Sequence, residues 1–173
     1  MEYIYRYRSP LGDMTMAGDG THLTGLWFDG QKYDRGTLSG EYEEKAMPVF
    51  RETGDWLDTY FSGKEPETLP EILLRGTDFQ RDVWRILLTI PYGQTMTYGE
   101  IAARLSRQRG GSGMSAQAVG GAVGHNPVSI LIPCHRVIGA DGSLTGYAGG
   151  IGKKRFLLAL EHAECMAQEK ADR

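Results

Sequence analysis

Apolar side chains recur with two different periods along these 173 residues, so one uniform layer of strands or of helices cannot accommodate the chain. From Tyr3 to Tyr7, Met14 to Ala17 and Leu23 to Phe28 they alternate with polar neighbours, the period of half-buried strands. Ser9-Pro10-Leu11-Gly12 and Gly18-Asp19-Gly20 supply turns between these runs. Residues 30–44 are polar and glycine-containing and read as a loop. From about Met47 to Phe61 the spacing becomes helical: Pro48 is tolerated in a first turn, and Val49, Phe50, Trp56, Leu57, Tyr60 and Phe61 build one apolar side. The stretch to about Gly76 reads as a linker with an apolar patch, Ile72 to Leu74.

The remainder reads as mostly helical. Thr77-Asp78-Phe79-Gln80 and Thr97-Tyr98-Gly99-Glu100 both have capping-box spacing, and Ser115 is placed to cap a third helix. Pro91-Tyr92-Gly93 closes the first of these helices, and a basic loop from Arg107 to Gly113 separates the second from the third. Two short helices joined by a loop are what a helix-turn-helix requires. The later helix, running from Ala116 to about Gly124, contains Gly120 and Gly121, each costing about 0.8–1 kcal/mol relative to alanine. Small residues there permit close approach of a neighbour, either another core helix or a nucleic-acid groove. Asp141-Gly142 is the strongest hairpin signal in the chain, with Leu144 to Tyr147 as the returning strand of a wing. A last helix is expected from about Gly152 to Glu164. Lys153, Lys154 and Arg155 lie in its first turn, against the helix dipole, which calls for a compensating anion or carboxylate. The tail from Met166 to Arg173 reads as frayed, and there are no internal repeats.

The expected fold class is therefore α/β: a small sheet-plus-helix domain over residues 1–74, then a mostly helical domain over 75–173 carrying a winged helix-turn-helix. The first part holds 7 basic and 14 acidic side chains, net −7, and the second 12 and 8, net +4. An acidic part joined to a basic one suggests that the second meets a polyanion. No apolar run approaches the roughly 20 residues that span a bilayer, and the first residues do not read as a signal peptide. Two cysteines far apart make no disulfide framework, which favours a reducing, cytoplasmic setting.

Chemistry concentrates in Ile130-Leu131-Ile132-Pro133-Cys134-His135-Arg136-Val137. A thiol is a strong nucleophile only as thiolate, and nearby positive charge favours that form. Neighbours in an extended chain point to opposite faces, so adjacency of Cys134 and His135 does not establish a pair. The residues alone leave two readings: an activated nucleophile, or a structural cysteine at the end of a buried strand.

Taken with Ala118-Val119-Gly120-Gly121-Ala122, Asn126-Pro127, Gly142 and Tyr147-Ala148-Gly149-Gly150, the Pro133-to-Val137 motif resembles the O6-alkylguanine-DNA alkyltransferases. The resemblance is dense from Phe79 to Glu161 and general before that. It implies repair of DNA by single-turnover transfer of an alkyl group from O6 of guanine, with O4 of thymine as a second source of the group, onto Cys134. It further implies that His135 deprotonates Cys134 through a bridging water and that Glu161 orients His135. Asn126 would support the turn, and Tyr98 would crowd the flipped nucleotide and protonate the leaving guanine. Val123, Val137, Tyr147 and Ala148 would line the base pocket, and Ser115, Gln117, Ala118, Gly120, Gly121 and Arg136 would face DNA. No cofactor and no metal are implied; the partner would be double-stranded DNA with an alkylated guanine, met by a monomer without a membrane. Gln117 stands where the family usually places an arginine that fills the gap left by the flipped base, and Ala148 where a serine is common. Residues 1–74 hold no cysteine and one histidine, His22, so a zinc site found in some relatives cannot form there.

Competing readings are a non-catalytic lesion binder, which would lack the acceptor cysteine, a winged-helix regulator, which would not need Cys134, His135 and Glu161, and a cysteine hydrolase, which would need an oxyanion hole. Cys165 reads as an incidental thiol, His22 and His162 as solvated, and His125 as a helix cap or phosphate ligand. Trp27, Trp56 and Trp84 read as core. Arg107, Arg109, Lys153 and Lys154 are either phosphate contacts or solvated charges.

Overall fold

The structure, a computed structural model, describes residues 1–38, 40–111 and 113–162. Residues divide into two compact units: Met1–Arg75 with Pro127–Leu131, and Gly76–Asn126 with the chain from Ile132 onward. The division is not contiguous in sequence, because five residues just before the Pro-Cys-His-Arg motif cluster with the first unit. Cys165 and the tail lie outside the described residues.

In the first unit, β1 (Glu2–Ser9), β2 (Gly12–Gly18), β3 (Leu23–Phe28) and β4 (Tyr42–Glu44) form one sheet in the order β3-β2-β1-β4. The β1–β2–β3 meander is antiparallel, as turn-separated alternating runs favour, and β4 pairs parallel to β1. Sequence analysis placed β4 in a loop: all three of its residues are exposed, so it carries no burial pattern. Gly25 is fixed by packing, since a methyl there would overlap the Trp27 indole. Helix α1 (Pro48–Phe61) buries Val49, Phe50, Thr53, Leu57 and Tyr60. The expected linker is tied down: Leu23 and Ile72 form a bridge in which Leu23 N donates to Glu71 O at 2.8 Å and Leu73 N to Leu23 O at 3.0 Å.

The same unit takes up Pro127–Leu131 along β3: Leu26 N donates to Pro127 O, and Ser129 N to Leu26 O, both at 2.8 Å. The run that reads as a core strand stops there. Leu131 N turns back to Ser129 O at 2.8 Å and Ile130 adopts φ +72°, a γ-turn of the strained hand. For a β-branched residue this conformation costs on the order of 1–3 kcal/mol; burial of Ile130 among apolar neighbours offsets it.

The second unit is built on three helices, α2 (Asp78–Leu87), α3 (Tyr98–Gln108) and α4 (Ala116–Gly124), which pack on one another. Both expected capping boxes are formed, Thr77 with Gln80 and Thr97 with Glu100, and Ser115 accepts from Ala118 N at 3.0 Å. Val83, Trp84, Leu87, Ile101, Leu105, Val119 and Val123 fill the space between them. Trp84 Nε1 donates to Ala122 O at 2.9 Å, locking α2 to α4. Trp84→Phe is expected to keep the fold and lose about 1 kcal/mol, read from urea unfolding. Strand β5 (Met96–Thr97) pairs parallel with β6 (Val137–Ile138), and α5 spans Ile151–Leu160. No helix among the described residues is long and apolar enough to cross a membrane.

The expected wing is not a hairpin. Gly139 N donates to Ser143 O at 2.9 Å, closing the Asp141-Gly142 turn, but Leu144–Tyr147 forms no strand. Val137 and Ile138 are paired with β5, and the Thr145 carbonyl is taken by side chains.

Candidate active site around Cys134

After Ile132 the chain makes a second tight turn. Cys134 N donates to Ile132 O at 2.8 Å across Pro133, and Cys134–Arg136 then forms one 3-10 turn. In a 3-10 turn successive side chains point about 120° apart, so the three reactive groups diverge. Cys134 is 5 % exposed. Asn126, just past α4, donates Nδ2 to Ile132 O at 2.7 Å and lies within hydrogen-bonding reach of the thiol. Burial pushes the Cys134 thiol up; the Asn126 bond and the Lys154 charge work against that push without overcoming it. The resting sulfur is a neutral thiol.

His135 is wholly buried, and its Nε2 lies 2.7 Å from Glu161 Oε2. Glu161 sits at the C-terminal cap of α5 and collects further donors: Arg136 Nε to Oε1 at 2.8 Å, Arg136 Nη2 to Oε2 at 3.2 Å, and Gly93 N to Oε1 at 3.1 Å. Burial pushes the Glu161 carboxyl up, but His135 and Arg136 outweigh it and hold it at about 2. Burial pushes His135 down; Glu161 pulls it up, and the Arg136 and Lys154 charges add to the lowering, which wins. The imidazole is thus neutral and able to accept a proton. With Nε2 engaged by Glu161, Nδ1 is the accepting atom.

Arg136 corrects an expectation. The resemblance implies a DNA-facing side chain, yet it folds inward, forks onto Glu161 and donates Nη1 to Ile90 O at 2.7 Å, with the guanidinium 5.7 Å from the Tyr92 ring centroid. A bidentate carboxylate is a better partner for a desolvated guanidinium than a solvated phosphate would be. The Ile90–Gly93 turn, read in the sequence only as a helix stop, supplies this pair with a carbonyl and an amide. Gly93 has φ +80°, and a methyl there would press on the Glu161 carbonyl.

Tyr98, at the start of α3, donates its hydroxyl to Thr145 O at 3.1 Å, and burial pushes its pKa up. Val123 and Val137 are buried, and Tyr147 and Ala148 are half-buried. On α4, Ser115, Gln117, Ala118 and Gly121 are exposed and Gly120 is half-buried. Core packing does not require these glycines: a methyl at Gly121 would meet open space, and one at Gly120 only an ordinary contact with the Tyr98 ring. His125 caps the helix, its Nδ1 2.8 Å from Gly121 O. At the basic start of α5, Lys154 is buried and donates to carbonyl oxygens, partners the sequence reading did not name. Arg109 pairs with Asp82 at 2.7 Å.

A sheet-bearing first unit, a second unit of capped helices and a buried free cysteine next in the chain to a His135–Glu161 pair define a two-part cysteine protein, and comparison specifies it. Residues 3–73 match the family model described as 6-O-methylguanine DNA methyltransferase, ribonuclease-like domain, and residues 78–163 the one described as its DNA binding domain. The methylated-DNA–protein-cysteine methyltransferase of Mycobacterium tuberculosis strain H37Rv is 48% identical over 159 residues, 92% of each chain. That of Haemophilus influenzae is 41% identical over 92% of this chain and 86% of its own. The crystal structure of Mycobacterium tuberculosis OGT in complex with DNA superposes with a TM-score of 0.81 at 45% identity, covering 95% of this chain and 97% of that one. The chain belongs to the 6-O-methylguanine DNA methyltransferase family.

Proposed function

We propose that this protein repairs DNA by moving an alkyl group from O6 of guanine onto Cys134, once per molecule. The observation that carries the reading is the buried thiol next in the chain to a neutral imidazole anchored 2.7 Å from an ionised carboxylate. The Cys134 proton passes through a bridging water to His135 Nδ1, and Glu161 steadies the imidazolium. The thiolate sulfur attacks the alkyl carbon in line; the S–C bond forms, the C–O6 bond breaks, and the electron pair stays with the purine. Tyr98 donates the proton that lets guanine leave neutral. The stable thioether explains single use. A buried acceptor requires the damaged base to leave the stack, at a few kcal/mol and least for a poorly paired base. Val123, Val137, Tyr147 and Ala148 form the proposed base pocket, and the exposed face of α4 the proposed contact with double-stranded DNA by a monomer. A cytoplasmic, reducing setting suits a reaction that needs the free thiol.

Incubation with a methylated oligonucleotide followed by intact-mass and peptide analysis tests this. One added methyl on the Cys134 peptide is expected; tight lesion binding with no adduct would mean a binder instead, and repeated ester turnover a hydrolase. Gln117 is neutral and stacks less well than arginine, so Gln117→Arg should tighten lesion-DNA binding on the order of tenfold and speed repair. Unchanged binding and rate in that variant would remove Gln117 from the flipping step.

A further inference from the structure

Lys154 occupies the turn of α5 that least favours a cation, and it is wholly buried. Desolvating an ammonium costs several kcal/mol unless its donors are met. Its three N–H donors meet three carbonyls: Val137 O, Thr145 O at 2.9 Å and Gly146 O at 3.5 Å. Val137 directly follows the Cys-His-Arg turn, and Thr145–Gly146 directly precedes Tyr147-Ala148. The Thr145 carbonyl is shared, since Tyr98 also donates to it at 3.1 Å. One ammonium therefore replaces the strand pairing that the wing lacks, and it docks the Tyr98 hydroxyl through the same oxygen.

Charge supplies the second argument. Among the described residues of this unit, the buried ionised side chains are Arg136, Glu161 and Lys154, which sum to +1 with the Cys134 thiol and His135 neutral. Passing the Cys134 proton to His135 leaves the cluster at +1, so Lys154 acts locally, its charge favouring the thiolate over the thiol. A methionine of similar length would fill the volume of Lys154 at less desolvation cost and would forfeit both effects.

We propose that Lys154 is a positioning residue for alkyl transfer, holding the Thr145–Gly146 segment and the Tyr98 hydroxyl against Val137 and keeping a fixed positive charge near the acceptor sulfur. This rests on Cys134 being the alkyl acceptor. Full-length parent, Lys154→Met and Lys154→Arg are compared in two measurements. Single-turnover methyl transfer at rising oligonucleotide concentration gives a maximal rate and a half-saturation. Iodoacetamide labelling of Cys134 against pH gives the midpoint of thiolate formation. Lys154→Met should transfer at least about tenfold more slowly at saturation and shift the labelling midpoint up by about one pH unit. Lys154→Arg keeps the charge but cannot gather three carbonyls, so it should restore the midpoint and leave transfer slow. A Lys154→Met protein with parental rate and midpoint per folded molecule overturns the proposal, as does one that is only less heat-stable. Should Lys154→Met not fold, Lys154→Arg decides alone: a parental transfer rate overturns it, and slow transfer with a parental midpoint supports it. A parent that gains no methyl would instead refute the alkyl-acceptor reading, while the labelling midpoints still report whether Lys154 acts on Cys134.

Discussion

Cys134→Ser is expected to take up no methyl group from a methylated oligonucleotide, a loss of at least about 10⁴-fold in transfer, as removal of a covalent nucleophile produces elsewhere. The reason lies in proton affinity as well as in sulfur's nucleophilicity. Burial already raises the Cys134 thiol, and His135 is kept neutral to receive its proton. A serine hydroxyl holds its proton far more tightly than a thiol, so the same imidazole cannot ionise it to a useful extent. The substitution is close in size at a site that is 5 % exposed, and Asn126 still has Ile132 O to hold, so folding should survive. The measurement is intact mass with peptide mapping, beside a thermal melt. A methyl found on the Cys165 peptide, or lesions cleared at the parental rate, would show that the acceptor is elsewhere.

Features set by neighbouring residues were legible in the sequence. Thr77, Thr97 and Ser115 cap the helices they were expected to cap, because a cap is decided within four residues. The β1–β3 meander followed from alternation and its turns. Features set by long-range hydrogen bonding were not. Ile130–Ile132 has a strand's composition, but a γ-turn at Ile130 and a second turn across Pro133 bend it. Leu144–Tyr147 alternates like a strand, yet Lys154 and Tyr98 claim the Thr145 carbonyl. At the site, the identity of Cys134, His135 and Glu161 as a group came from motif resemblance; spacing alone does not bring residue 161 to residue 135. Arg136 was misplaced because one-dimensional adjacency carries no direction, and a 3-10 turn sends it to the carboxylate. The unfavourable cation at the start of α5 was the one signal that could have exposed Lys154. That signal points to an anion or carboxylate, whereas carbonyl oxygens from distant residues receive the ammonium.

Glu161→Gln should cost about 3–5 kcal/mol of stability at pH 7, the range for breaking a buried ion pair. A glutamine keeps one accepting oxygen but turns an NH2 toward donors on Arg136, Gly93 or His135, and it leaves the Arg136 guanidinium buried without its counter-charge. Transfer should fall by about 10²–10⁴-fold in folded protein, because the imidazole loses both its orientation and the charge that stabilises its protonated form. The pH dependence discriminates this from a packing defect. The Glu161 carboxyl lies at about 2 in the fold against an ordinary 4.5, so its contribution is complete above pH 4.5 and disappears as pH falls toward 2. The shift corresponds to roughly 3 kcal/mol. His135 acts in the same direction from higher pH: it is lowered in the fold, so below pH 6.5 the unfolded chain takes up a proton first and stability declines. In urea titrations from pH 7 to pH 3, the parent should lose stability through both windows. Glu161→Gln should start lower and lose much less between pH 4.5 and 3, since the group that titrates there is gone. A variant whose curve runs parallel to the parent's across that window would show that the carboxylate is not held by His135 and Arg136, and the catalytic dyad would have to be redrawn.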